Sequence, residues 1–326
     1  MKLKAVCILL ALAASAQAAP LMRGPYKHVP QHLGEDLVLA TAPGGVRAPY
    51  VNDGKAMYGN ATVSLAFATG ECGRETWGKP DADALMQANV PAFVQAGVPY
   101  VISTGGAEGI FTCTTRAGMD RFVARYMSPM LAGFDFDIET GQTEKQVASL
   151  LKQVRYAQQK HPKLRYSFTI ATVAASDGSR RSLNETGQMV LRQLRKSGVK
   201  DYVINLMVMN HDTGKPANCV VADGGNCDMG RSAIQAVRNV NQRYKVPLSQ
   251  LAITAMIGEN DRPNNQTTIE DARVMTEAAE RMGLAGLHYW SLDRDTPCTE
   301  PVTAASPVCS GLDVAAGEYA RAFGLK

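Results

Sequence analysis

Several patterns that define common protein classes are missing from this chain of 326 residues. It has no block of basic residues and a net charge of only +4, which argues against nucleic acid as a main partner. Neither G-x-G-x-x-G nor a P-loop occurs, so a nucleotide-binding turn is not predicted. The G-x-S-x-G turn of many serine hydrolases is also absent. Nucleotide-dependent and serine-hydrolase chemistry therefore have no support.

Metal ligands are equally scarce. The five histidines show no metal-ligand spacing, and no cysteine pair is spaced C-x-x-C. We therefore predict neither a metal site nor a cofactor.

No apolar run reaches the roughly 20 residues that cross a bilayer, so a membrane partner is not predicted. Residues 1–18 instead have the pattern of a secretory signal. Lysines precede the apolar run Ala5–Ala14, and Ala16–Ala18 resembles a small-residue cleavage site. The sequence thus predicts an exported, soluble protein, extracellular or periplasmic, that begins near Ala19.

Removing this signal takes away one of the seven cysteines and leaves six. An even number in an exported chain predicts disulfides. Six cysteines allow 15 pairings, and sequence proximity favours Cys72 with Cys113, Cys219 with Cys227, and Cys298 with Cys309.

Short apolar runs alternate with helical segments along most of the chain. The predicted strands are Ala48–Asn52, Thr62–Thr69, Tyr100–Thr104, Gly133–Glu139, Leu164–Ala171, Tyr202–Met209, Leu251–Ile257 and Leu284–Trp290. Eight alternating units favour a single-domain (β/α)8 TIM barrel over residues 48–326, preceded by a lead-in over residues 19–47. An open doubly wound sheet, the alternative α/β fold, usually has fewer strands.

The helices follow from apolar spacing. Met119–Tyr126 and Val147–Val154 both keep the i, i+3, i+4, i+7 pattern of an amphipathic helix. Thr143 and Gln146 predict a capping box at the start of the second of these helices.

The most informative stretch is the fourth predicted strand, in which acidic and apolar residues alternate. With the period of two of a β-strand, Asp135, Asp137 and Glu139 share one face, and Phe134 and its apolar partners share the other. Grouping three like charges costs free energy unless they share protons, accept hydrogen bonds or meet a cation. In a barrel, active sites lie at the C-terminal strand ends, where Glu139 is predicted to be.

Carboxylates two residues apart on a strand are separated by about 6.6 Å, from a rise of about 3.3 Å per residue. That separation suits glycosidic hydrolysis, which uses an acid and a second carboxylate. Crowding would keep one group protonated as the acid, and Glu139, the outermost, is best placed for that role. A magnesium or calcium site, a buried structural network and a solvated edge strand are the competing interpretations.

These residues resemble a known family. Phe134–Glu139 resembles the D-x-D-x-E signature of glycoside hydrolase family 18, the chitinases. Ser103–Gly106 resembles its S-x-G-G motif, Asn205–Asn210 the segment with its M-x-Y-D pattern, and Tyr289–Leu292 the segment with its closing tryptophan. The likeness extends from about residue 48 to 295, and the motifs occur in the family's order.

The resemblance implies a substrate-assisted mechanism, an exception to the scheme of two catalytic carboxylates. Glu139 would protonate the glycosidic oxygen, and the substrate's own acetamido oxygen would attack the anomeric carbon. Asp137 would orient the acetamido group, and Asp135 would support Asp137. The sequence departs from the family at Ala132, where a further aspartate is usual, and at Met209, where a tyrosine holds the acetamido carbonyl. Asn210 or His211 could take over from that tyrosine.

The predicted substrate-binding residues come from these motifs and from aromatic residues near strand ends. Trp290 is the candidate sugar platform, with Trp77 and Tyr50 as further aromatic candidates. The motifs add the residues Ser103, Gly106, Met207, Met209 and Asn210.

Together these observations predict a secreted, monomeric glycoside hydrolase that cleaves β-1,4-linked N-acetylglucosamine with retention, acting on chitin or chito-oligosaccharides. Two alternatives stay open. One is an endo-β-N-acetylglucosaminidase acting on N-glycans, and the other is a sugar-binding protein with little or no turnover on the same barrel.

Overall fold

A closed barrel of eight parallel strands is the centre of the computed structural model, which describes residues 21–326. The strands are β1 (Met22–His28), β2 (Val63–Ala68), β3 (Tyr100–Gly105), β4 (Leu131–Asp137), β5 (Arg165–Ala171), β6 (Val203–Met207), β7 (Leu251–Met256) and β8 (Gly286–Trp290). Each strand pairs with the next, and β8 pairs with β1. The predicted barrel is confirmed. The predicted signal, residues 1–18, lies outside the described residues.

Seven α-helices follow strands β2 to β8. They are α1 (Ala82–Ala96), α2 (Arg116–Tyr126), α3 (Glu144–Lys160), α4 (Glu185–Ser197), α5 (Met229–Tyr244), α6 (Ile269–Met282) and α7 (Glu318–Ala322). The predicted capping box of α3 is present: the Thr143 hydroxyl accepts from the Gln146 amide, and the Gln146 side chain accepts from the Thr143 amide. No helix in residues 21–326 is long and apolar enough to cross a bilayer.

The prediction for the first strand was wrong. The first barrel strand is Met22–His28, within the supposed lead-in, whereas Ala48–Pro49 and Val51–Asn52 belong to two small antiparallel ribbons outside the barrel. The strand Met22–His28 is hard to predict from the sequence because it contains Gly24 and Pro25, and both residues are unfavourable in strand interiors. Gly24 is nevertheless required, since a Cβ atom there would lie 1.7 Å from the carbonyl oxygen of Thr62.

All three favoured disulfides are present: Cys72–Cys113, Cys219–Cys227 and Cys298–Cys309. Each connects segments that follow barrel strands. Cys72 follows β2 and Cys113 follows β3, so this bond ties two loops at the C-terminal end of the barrel. The proximity argument therefore chose the correct pairing.

A buried ion pair lies where the barrel closes. The Lys27 ammonium on β1 donates to Asp293 at 2.8 Å and to the carbonyls of His28 and Gln31 at 2.7 Å. Burial lowers the pKa of Lys27 and raises that of Asp293 to about 6, and in both cases the partner's charge opposes the shift. Asp293 lies in the 3-10 turn after β8, so the pair joins the first strand to the end of the last.

Replacing Lys27 with Met should lower the free energy of unfolding by about 3–5 kcal/mol, because Asp293 would stay buried without its cation. Urea denaturation measures the difference. The control is Arg273→Met, which breaks the exposed pair with Glu270 and should change stability little. Equal losses in the two variants, or no loss in Lys27→Met, would contradict this role.

Candidate active site

The alternation in β4 places its acids and its rings on opposite sides. Phe134 packs on Phe122 of α2 with ring centroids 4.9 Å apart, and Phe136 packs on Phe168 of β5 at 5.4 Å. These rings fill the layer between barrel and helices. Asp135 and Asp137 therefore point to the barrel interior, as the period of two predicted.

Asp135 is 1% exposed and is surrounded by hydroxyl groups. Its carboxylate accepts hydrogen bonds from Tyr26 (3.0 Å), Ser103 (2.8 Å), Ser167 (2.6 Å) and Thr169 (2.8 Å). An ionised carboxylate offers about four acceptor sites. Asp135 is thus fully engaged inside the barrel and cannot reach a ligand.

Asn205 on β6 organises these donors. Its side-chain amide donates to the hydroxyl oxygens of Tyr26 at 3.0 Å and Thr169 at 2.9 Å. Because each of these oxygens already accepts from Asn205, its own hydrogen is free to point at Asp135. The Thr254 hydroxyl contacts both ends of this amide, accepting from its nitrogen at 2.7 Å and donating to its carbonyl at 3.0 Å.

Asp137 has the opposite environment. It is 5% exposed, and its Oδ1 atom has no hydrogen-bond partner in residues 21–326. Burial raises its pKa well above the usual value, and the charges of Glu139 and Asp135 add to the shift. An unpartnered buried carboxyl oxygen has lost its water contacts without compensation. Asp137 thus lacks the internal hydrogen bonds that engage Asp135, although its Oδ1 atom is itself buried.

Two glycines at the C-terminal end of β3 allow the backbone to come close to Asp137. Gly105 and Gly106 have φ values of +86° and +84°, in the region that favours glycine. A Cβ at Gly105 would lie 2.0 Å from the Asp137 carbonyl oxygen, and one at Gly106 would lie 2.8 Å from the Phe67 ring. The Gly106 amide donates to the Asp137 carbonyl at 3.2 Å. Gly106 thus supports the site through its backbone.

Glu139 follows the end of β4 and is half-buried. Burial raises its pKa, and the negative charge of Asp261 adds to that effect. Asp261 is held by Asn210, whose amide donates to its carboxylate at 2.8 Å and whose carbonyl accepts from its backbone amide at 2.8 Å. Glu139 is thus the outermost acid of the strand and one that resists ionisation.

A cavity of about 360 Å³ opens at this end of the barrel. Trp290 lies on one side, with its ring stacked on Phe67 at a centroid distance of 5.5 Å and an interplanar angle of 14°. The remaining lining residues are Tyr26, Ala107, Asp137, Glu139, Thr169, Ala171, Thr172, Met207, Met209, Asn210, Thr254, Met256 and Asp261. The cavity therefore brings carboxyl groups, one flat aromatic surface and an apolar methionine wall together.

Four of the predicted substrate-binding residues line this cavity: Trp290, Met207, Met209 and Asn210. A fifth, Gly106, packs behind the lining residue Phe67. Asn210 donates one of its two side-chain N–H groups to Asp261 and lines the cavity, so it keeps one donor there, whereas His211 is completely buried. Burial also lowers the pKa of His211 to about 4.

Three predicted binding residues do not line the cavity. Ser103 is fully buried and donates to Asp135. Tyr50 packs on Phe93 outside the barrel. Trp77 is 1% exposed, donates to the Tyr126 hydroxyl at 2.9 Å and lines a neighbouring cavity instead.

Sequence reasoning missed Tyr26, Phe67, Asn205 and Asp261 as site residues. Tyr26 was hidden by the misplaced first strand. Asn205 had a signal, since it is a polar residue inside an otherwise apolar strand. Asp261 had no such signal, because only the folded chain brings its loop to Glu139.

Among residues 21–326, no three histidine, cysteine, aspartate or glutamate side chains form a group that could hold a metal ion.

Replacing Asp261 with Asn should lower the pKa of Glu139, because it removes a negative charge that opposes ionisation. Burial should still keep that pKa above its ordinary value. Carbon-13 NMR titration of labelled glutamate carboxyls measures it, with Glu139→Gln providing the assignment. Asp120→Asn is the control, since Asp120 pairs with Lys160 on the outer helices. A Glu139 pKa unchanged by Asp261→Asn would contradict the coupling.

No protein-family model matches the chain. A probable bifunctional chitinase/lysozyme of Escherichia coli (strain K12) is 25% identical over 292 residues, which cover 78% of this chain and 31% of that protein. The chain thus spans about a third of the length of this relative.

Among solved structures, the catalytic domain of a hyperthermophilic chitinase from Pyrococcus furiosus aligns with a TM-score of 0.69 and 21% identity, covering 94% of this chain and 96% of that one. An Ostrinia furnacalis group IV chitinase aligns with a TM-score of 0.50 and 12% identity, covering 85% of this chain and 94% of that one. The fold is therefore that of chitinase catalytic domains.

Proposed function

We propose that this chain is a secreted glycoside hydrolase that cleaves β-1,4-linked N-acetylglucosamine by a retaining, substrate-assisted mechanism. One observation carries the proposal: a buried, unpartnered Asp137 lies between a fully hydrogen-bonded Asp135 and an outer Glu139 with a raised pKa, at the mouth of a barrel lined by Trp290. The similarity to chitinases supports the proposal.

In the first step the reacting sugar lies against Trp290. Glu139 donates its proton to the glycosidic oxygen as the bond from that oxygen to the anomeric carbon breaks. The acetamido oxygen forms a bond to the same carbon and gives an oxazolinium ion, and the leaving sugar departs with the proton. Asp137 accepts a hydrogen bond from the acetamido N–H and stabilises the positive charge that develops there.

In the second step Glu139, now ionised, removes a proton from water. The water oxygen attacks the anomeric carbon, the bond to the acetamido oxygen breaks, and the acetamido group is restored. Two displacements at one carbon give retention. Asp135 touches no reacting atom, and its role is to support Asp137 from inside the barrel.

The acetamido group meets an apolar wall here. Met209 stands where the family has a tyrosine and cannot donate a hydrogen bond. Met207 and Met256 extend the wall, which suits the acetamido methyl group. The orientation of the acetamido group then depends more heavily on Asp137 than it would with a tyrosine at position 209. The methionine at position 209 also favours the second candidate function, that of a sugar-binding protein with little turnover.

The disulfides favour an oxidising compartment, which agrees with the signal-like N-terminus and with secretion. Aromatic residues that could grip a crystal surface are few, so soluble chito-oligosaccharides or loose chains are the proposed substrates of this monomer.

Glu139→Gln should reduce cleavage of a chromogenic chito-oligosaccharide by about 10²–10⁴-fold, because it removes the general acid. Glu277→Gln on α6, outside the cavity, is the matched control and should retain wild-type rates. Equal rates in Glu139→Gln and wild type would contradict the assignment. Binding without turnover by the wild type would favour the sugar-binding alternative, and release of glycans from a glycoprotein would favour an endo-β-N-acetylglucosaminidase.

The rate should fall as pH rises through the raised pKa of Glu139, because the acid must be protonated to act. Asp261→Asn lowers that pKa, so it should move the alkaline limb of the kcat/KM profile to lower pH. Asp120→Asn should leave the limb in place. If the alkaline limb does not move in Asp261→Asn, the limb does not report the ionisation of Glu139, and the prediction is contradicted.

A further inference from the structure

A second cavity of about 320 Å³ lies beside the candidate active site. The two cavities share Phe67, Ala107 and Trp290 in their walls. The second cavity continues towards the ends of β1 and β2, where His28 and Thr69 line it. The two cavities therefore adjoin at the stacked pair of Phe67 and Trp290, and together they are called the cleft.

The charged residues that line this cleft are acidic. Asp137, Glu139 and Asp261 line the first cavity, and Glu108 lines the second. No lysine or arginine of residues 21–326 is part of either lining. Lys79 follows the lining residue Gly78, but its own side chain is exposed outside the cavity wall.

Glu108 is free to bind a cation. Its side chain is exposed and makes no hydrogen bond or ion pair with the part of the chain that the structure describes. His28 also lines this cavity, and burial and the Lys27 charge lower its pKa, which Glu108 opposes only in part. A positive group in this cavity would therefore meet the Glu108 carboxylate, and no lysine or arginine of the lining would compete with it.

The two cavities of the cleft favour different forms of the sugar, acetylated in the first and cationic in the second. The reacting sugar lies against Met207, Met209 and Met256, where an acetamido methyl group is favoured and a bare ammonium would lose its hydration. The acetamido group is also the nucleophile there. Sugars farther along the chain take no part in the chemistry, so nothing requires them to be acetylated. Beside Glu108, a glucosamine ammonium would gain an ion pair.

We propose that Glu108 is a specificity-determining residue, and that the preferred substrate is partly deacetylated chitin, with an acetylated sugar at the reacting position and a cationic glucosamine in the second cavity. This inference rests on the proposed function, since it assigns a substrate class to the same cleft.

The test compares two hexamers of the β-1,4-linked sugar, one fully acetylated and one partly deacetylated, in mildly acidic buffer at low salt. The quantity measured is the ratio of their kcat/KM values. Glu108→Gln should lower the ratio (partly deacetylated over fully acetylated) by about two- to fivefold, the usual effect of an exposed ion pair. Glu108→Asp should restore most of it, and Glu277→Gln should match the wild type.

Added salt should reduce the wild-type preference, because it screens an exposed pair. Mass analysis of the products should find glucosamine enriched on one side of the cleaved bond. A ratio unchanged by Glu108→Gln, or lowered equally by Glu277→Gln, would overturn the inference.

If the wild type cleaves neither hexamer, the proposed function fails, and the preference is then read from binding alone. Calorimetry measures the affinities of the wild type and of Glu108→Gln for both hexamers, and the ratio of the two affinities decides whether the charge preference exists. A two- to fivefold fall in the affinity ratio supports the charge preference, and equal ratios overturn it.

Discussion

The whole site depends on how three carboxyl groups are accommodated along β4 and the two residues that follow it. Each meets a different environment: Asp135 accepts from four hydroxyls, Asp137 is buried without a partner on one oxygen, and Glu139 stands at the rim near Asp261. Only the innermost group accepts a full set of hydrogen bonds, whereas burial and neighbouring negative charges raise the pKa values of the outer two. In the proposed mechanism, the same grouping that costs stability supplies one supporting group, one acceptor for the substrate and one proton donor.

The barrel is what makes this arrangement possible. The donors to Asp135 come from β1, β3 and β5, and Asn205 on β6 orients two of them, so the network forms only when the sheet closes. Closure in turn uses the Lys27–Asp293 pair between β1 and the turn after β8. Trp290 ends β8 directly before that turn. The seam that closes the fold thus also positions the aromatic wall of the cleft.

Much of this was predictable, and the failures have physical causes. The period of two in β4 and the alternation of strands and helices are local properties, so seven strands and the inward-facing acids could be predicted from the sequence. Met22–His28 could not, because a strand with Gly24, Pro25 and Lys27 is stable only once its neighbours supply partners. Tyr50 and Trp77 do not line the cavity that holds Glu139, because the direction of a loop side chain depends on tertiary packing. Asp261 meets Glu139 only through folding.

The central claim is that cleavage proceeds by two displacements at the anomeric carbon, with water attacking only in the second, while Glu139 supplies the proton in the first. Proton NMR of a chito-oligosaccharide during the first minutes of cleavage tests this most directly, because it records the anomer of the new reducing end before mutarotation. The account predicts that the β-anomer appears first. Initial formation of the α-anomer would mean that water attacks in a single displacement, and would contradict it.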